Sequence, residues 1–190
     1  MISFYDKLRA VCMERDSRVA LLIVPRIDKL PPHIARYDEP FLPFGKEIVR
    51  ATRDLVAAYV FDLPSYMALG AVGMVALERT IDYATDSAVT ILHGAFALDA
   101  FTIVSDENAF GVDAVTLAPG MAREPFVTRA DRGAFVIDAW AGDRYELDTG
   151  RMVCGDLTLQ VTDEAFLYMH RLPDFADVLA ANVEALRNAH

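Results

Sequence analysis

The sequence predicts an α/β fold: a mainly parallel sheet with helices outside it. Three observations carry this. Short runs such as VALLIV (19–24), AAYVF (57–61) and AVTIL (88–92) have strand length and are apolar on both faces, as strands of a covered parallel sheet are. These runs alternate with stretches of helical periodicity, the mark of βα units. The 190 residues, 54% hydrophobic and 24% charged, suffice for one compact domain with a sizeable core, expected to span 1–190.

The elements follow in order. Ser3 caps a first helix with Tyr5, Leu8, Val11 and Cys12 on one face. Residues 19–24 form a strand. Five prolines between Pro25 and Pro43 mark a long, stiffened loop. A helix is expected from about Gly45 to Val56, then a strand over 57–61. Pro64 and Ser65 open a helix whose Met67, Ala71, Met74, Leu77 and Ile81 recur at helical spacing and pack into the core. Strand 88–92 follows, then helical residues 99–110, strand 113–119, a short helix over 121–131 and strand 133–140. Strand 156–162 and a helix over 173–188, with Asp174 near its start, close the chain. Between them, AGDRYELDTGRMVCG (141–155) has no helical stripe, and ELDTGRMV reads as a hairpin around Asp148–Gly150. Six long strands result.

Composition excludes several classes. A formal net charge of −10 repels nucleic-acid phosphates and anionic lipid, so neither nucleic acid nor membrane is an expected partner. No apolar run reaches membrane-spanning length. Asp6 interrupts the first residues, which do not read as a secretory signal, so a cytoplasmic location is expected. Cys12 and Cys154 have no metal-ligand spacing and read as small buried hydrophobes.

Residues 44–83, GVDAVTLAPGM (111–121), EPFVTRADRGAFVIDAW (124–140) and residues 164–189 resemble the orotidine 5′-monophosphate decarboxylase family, in its bacterial subgroup. The resemblance covers about two thirds of the chain and implies a (β/α)8 barrel, usually a homodimer with active sites at the subunit interface. Aligning the ends leaves little room for the sixth and seventh strands. The expected fold is therefore a shortened TIM-type (β/α) barrel. It has about six mainly parallel strands with outer helices, and an irregular hairpin at 141–155 replaces strands six and seven.

The resemblance also implies cofactor-free removal of CO₂ from a pyrimidine nucleotide, which requires a fixed ammonium among carboxylates. The family's Asp-x-Lys-x-x-Asp motif falls on His93, Ala95 and Leu98. Its strand-two lysine falls on Val60, and an Asp after strand one falls near Val24. The chain has only Lys7, Lys29 and Lys46, so no lysine can stand on strands two to six. Arg cannot replace the donor, because it stays charged at any working pH. The family's phosphate-binding Arg falls on Glu164, beside Asp163. Nothing cationic is then expected over the barrel mouth.

What remains is a candidate pocket of Asp62, His93, Asp99, Asp138 and Trp140. His93 reads as a hydrogen-bonded pocket residue, with a general base or metal ligand as the sharper alternative. No local spacing supports a metal site, and neither metal nor cofactor is expected. No G-x-S-x-G or G-x-G-x-x-G turn occurs. Phe61, Phe96 and Trp140 are expected to fill the former pocket. The first reading is a non-catalytic pseudoenzyme that associates with itself or with a paralogous barrel. The alternatives are altered chemistry built on His93 and neighbouring Asp, residual decarboxylase-related activity, or a binder of neutral or cationic small molecules.

Overall fold

A computed structural model describes residues 2–189. Its helices are α1 (Phe4–Arg15), α2 (Phe41–Thr52), α3 (Leu63–Met67), α4 (Gly70–Ala84), α5 (Glu164–Leu167) and α6 (Phe175–Asn188). The strands are β1 (Val19–Ile23), β2 (Ala58–Asp62), β3 (Val89–Phe96), β4 (Ala114–Leu117), β5 (Gly133–Ile137), β6 (Arg144–Glu146), β7 (Arg151–Cys154) and β8 (Leu157–Val161). They close into one barrel in chain order. β1 to β6 pair in parallel, β7 runs antiparallel to β6 and β8, and β8 closes onto β1 in parallel.

The hairpin expected at 141–155 is present as β6 and β7, and both strands are part of the barrel wall. The barrel therefore has eight strands and no open side: the six long strands read from the sequence, and the two of the hairpin in the place of strands six and seven. β6 is parallel to β5 across a link of only residues 138–143, where parallel neighbours ordinarily need a dozen or more. Stagger makes this possible. Arg144 and Tyr145 pair only with Val136 and Ile137, so the chain steps back a short way instead of crossing the whole barrel. Asp138 (φ 49°) and Gly142 (φ 77°) take the left-handed conformations this tight path needs.

Two apolar layers result. Inside the barrel lie Val60, Val89, Ile91, Phe135, Tyr145, Met152 and Leu159. Helix α1 stoppers the lower end with Phe4, Leu8 and Cys12. Ser3 caps it as expected, accepting from the Asp6 amide at 3.1 Å. The Phe4 ring meets Phe135 edge-on at 5.9 Å and lies where a Cβ on residue 133 would sit, so that position must be Gly. Outside the barrel, Leu21, Ile23, Tyr59, Phe61, Leu92 and Val115 meet the helices. On β6 to β8 the outward side chains include Arg144, Glu146, Arg151 and Gln160, each at least partly exposed. There the sequence alternates apolar and polar, as a one-sided sheet does.

Several boundaries differ from the sequence reading. Helix α2 begins at Phe41 and takes in Pro43, because the first helical turn tolerates proline. The 64–81 stretch is two helices, α3 and α4. Asp62 caps the first, and the second starts at Gly70 (φ 61°) after a break at Ala68 and Leu69. The helical register resets there, so Gly73, Ala76, Leu77, Thr80, Ile81 and Ala84 are buried while Met67 is 56% exposed. Residues 99–105 are a 3₁₀ helix, and 121–131 holds only a 3₁₀ turn at Glu124–Phe126. Strand β5 stops at Ile137, where the left-handed Asp138 turns the chain away.

Candidate functional site at the barrel mouth

In a β/α barrel, the upper, C-terminal ends of the strands carry the chemistry. Register makes Asp62 and His93 neighbours there, on the last turns of β2 and β3. Asp62 accepts from the Ser65 amide at 3.0 Å and from the Ser65 hydroxyl. The β3 residues after Leu92 leave regular pairing with β4 and rejoin it at Phe96. Within this bulge Ala95 has φ 46°, a strained conformation for a residue with a Cβ.

The bulge is organised around Thr116 on β4. Its hydroxyl oxygen accepts from the Gly94 amide at 3.2 Å and the Ala95 amide at 3.1 Å, and lies 2.9 Å from His93 Nδ1. A hydroxyl has two lone pairs and one proton. With both lone pairs engaged, the proton points to Nδ1, which fixes His93 as the neutral tautomer carrying its proton on Nε2. Burial pushes the His93 pKa down, and the Asp62 charge opposes this only in part. His93 thus presents an Nε2–H donor to the mouth, and burial disfavours its protonation.

Tyr145 of β6 completes the mouth. Its ring meets His93 edge-on at 5.6 Å. The residue is 5% exposed, and its hydroxyl makes no hydrogen bond among the described residues. Burial, then the Asp62 charge, raises the phenol pKa. Nothing in the strand-end motifs pointed to Tyr145 or Thr116. The signals were a lone threonine in an otherwise apolar strand and the alternation of RYE, just ahead of the stretch read as a hairpin.

The other expected pocket members do not converge on His93. Asp99 is exposed at the start of its 3₁₀ helix. Asp138 is occupied structurally, its carboxylate accepting from the Leu147 amide at 3.1 Å and holding the hairpin to β5. Trp140 is fully exposed on the 138–143 link and fills nothing. Phe61 and Phe96 are buried, but in the layer between barrel and helices. The expected apolar plug is therefore absent, because the strand alternation turns both rings outward. Of the motif positions, Val60 and His93 face the barrel interior. Leu98 is 61% exposed beyond the bulge. Among the described residues no group of three His, Cys, Asp or Glu side chains is placed to hold a metal.

The expectation of no cation near the mouth needs correction. The loop after β1 is tied to Tyr168, whose hydroxyl donates to the Val24 carbonyl at 2.8 Å and accepts from the Arg26 amide at 2.7 Å. This brings Lys29 within 2.6 Å and Arg26 within 3.5 Å of Glu164. Both cations face that carboxylate, and neither stands on a strand. Asp163 caps α5, accepting from the Phe166 amide at 2.7 Å. Lys7 lies at the opposite end, paired with Asp113 at 2.6 Å, and Lys46 on α2 sits over the Tyr83 ring.

No family model matches the chain. It is 33% identical to the orotidine 5′-phosphate decarboxylase of Herpetosiphon aurantiacus over 143 residues, 70% of this chain and 53% of that protein. The Thermomicrobium roseum enzyme of the same name is 32% identical over 143 residues, covering 72% and 51%. The chain thus spans about half the length of the curated relatives it matches. The structure of Leishmania donovani OMP decarboxylase superposes with a TM-score of 0.58 at 22% identity, over 71% of this chain and 53% of that one, a likeness of fold. By sequence and by barrel architecture, the chain is a relative of the orotidine 5′-phosphate decarboxylases.

Proposed function

We propose that this protein is a non-catalytic relative of the decarboxylases, one domain whose retained role is association with a second copy or a paralogous barrel. One observation carries the first half: no lysine stands on β2 to β8. The position matched to the family's strand-two lysine is Val60, buried in the barrel. The mouth offers a neutral imidazole and a phenol, neither of which can stabilise a carbanion-like centre as a fixed ammonium does. Lys29 is already engaged by Glu164.

The association reading rests on exposed apolar side chains. Met67, Val72 and Val75 stand out from α3 and α4, and Leu98, Phe101 and Ile103 from the segment after β3. Because β2 and β3 are adjacent, these two segments follow neighbouring strands. Trp140 adds a fully exposed indole. Such residues concentrate at protein contacts. Two unpaired buried cysteines, Cys12 and Cys154, suit a reducing compartment such as the cytoplasm. Among the described residues no helix is long and apolar enough to cross a membrane.

Two measurements test this. Purified chain incubated with ¹⁴C-carboxyl orotidine monophosphate should release label at the buffer rate; release that scales with protein concentration would overturn the non-catalytic reading. Sedimentation velocity should show a dimer, or a complex with the paralogous decarboxylase, that dissociates in a Val75→Asp/Ile103→Asp variant. A monomer that ignores the paralogue would remove the association role.

A further inference from the structure

We propose that Glu164 is the built-in occupant of an oxyanion seat. Lys29 and Arg26, on the loop after β1, form the seat, and it takes a small oxyanion such as phosphate once the Glu164 charge is withdrawn. Both cations converge on one oxygen: Lys29 Nζ lies 2.6 Å and Arg26 Nη1 3.5 Å from Glu164 Oε1. The seat therefore already holds an oxyanion, supplied by the chain itself, and the contact is autoinhibitory.

The second observation is that the seat is fixed independently of its occupant. The Tyr168 hydroxyl holds the Arg26 amide and the Val24 carbonyl. Arg171 Nη2 donates to the carbonyls of Asp28 at 3.1 Å and Leu30 at 3.3 Å. The Lys29 ammonium also lies 5.7 Å from the centre of the Tyr168 ring, where cation–π attraction holds it. None of these contacts involves Glu164, so the cations keep their places when its charge is removed. Asp28 pairs with Arg26 at 3.5 Å, which leaves Lys29 the larger share of the attraction. The groove beside β8, where Asp148 and Asp163 line the wall together with Glu164, has no Lys or Arg among its lining residues and offers an anion no second site. A tethered carboxylate acts at an effective concentration on the order of millimolar or above. That suffices to keep a weakly bound free anion out of the wild-type seat.

An NMR titration with sodium phosphate at constant ionic strength reads the seat directly. Glu164→Gln removes the charge and leaves the Asp163 cap of α5 in place. It should give saturable shifts at the amides of Arg26 to Leu30 and of Tyr168, and the wild type should need at least about tenfold more phosphate. Lys29→Ala/Glu164→Gln should lose saturation. Glu107→Gln, which removes an exposed carboxylate from Arg129, should respond like the wild type. Exposed ion pairs add little to stability, so the Glu164 variants should fold. Glu164→Ala repeats the test without a side-chain amide that could bridge the two cations. No saturable response in either folded Glu164 variant would overturn the seat. So would an equal response in the wild type, or an equal gain in Glu107→Gln, which would show general relief of repulsion. Phosphate shifts are read apart from orotidine turnover and sedimentation, so this proposal and the non-catalytic, associating role can fail separately.

Discussion

The chemistry of the mouth turns on the proton of one hydroxyl. Thr116 accepts two amide protons and donates to His93 Nδ1, so protonating His93 would set two protons against each other. Burial lowers the His93 pKa further. The unfolded chain then binds the proton more readily, starting near the ordinary value of 6.5. Stability should rise with pH between the lowered folded value and about 6.5, and be lost as pH falls through that window. Urea midpoints measured from pH 5 to 7.5 should show this slope, and a His93→Gln variant should flatten it. An unchanged slope in the variant would assign the effect elsewhere. Nitrogen-15 spectra of the imidazole should show the Nε2–H tautomer at pH 7, and Thr116→Val should relax that preference. The sequence exposed His93 as a strand-end polar group, but not its partner. Thr116 lies 23 positions away and meets it only through the pairing of β3 with β4.

At the scale of elements, the β6–β7 hairpin determines whether the barrel closes. Its turn depends on Gly150, which has φ 62° and would place a Cβ 2.9 Å from the Val161 carbonyl oxygen. Gly150→Ala should cost about 2 kcal/mol, through backbone strain and the clash with β8, read as a lowered urea midpoint. Wild-type stability in that variant would mean the turn is not fixed as described. Asp138→Ala removes the acceptor for the Leu147 amide and should loosen the same hairpin by about 1 kcal/mol, seen as faster hydrogen exchange at Leu147. The sequence showed the hairpin but not its place. Asp148–Gly150 announced a turn, whereas the stagger that lets β6 pair beside β5 depends on only two register partners. Helix α4 shows the converse. Its stripe was visible, but Gly70 reset the phase, so Met67 was assigned to the core and is exposed.

Across the whole molecule, the parallel sheet was legible because β1 to β5 are apolar on both faces. The eight-stranded closure was not, because β6 and β7 are short and apolar on one face only. The lower end is fastened by Asp113, 4% exposed, which accepts from the Thr90 amide and pairs with Lys7. Asp113→Ala leaves the Thr90 amide without its acceptor and should cost about 3 kcal/mol by chemical denaturation; a loss under 1 kcal/mol would show that this tie is not structural. Strand-borne lysines are missing, and acidic groups line the groove beside β8. The direct measurement is calorimetric titration of the protein with uridine 5′-monophosphate. The mouth described here predicts no saturable heat at millimolar nucleotide. Stoichiometric binding in the micromolar range, weakened by Lys29→Ala or Arg26→Ala, would contradict it.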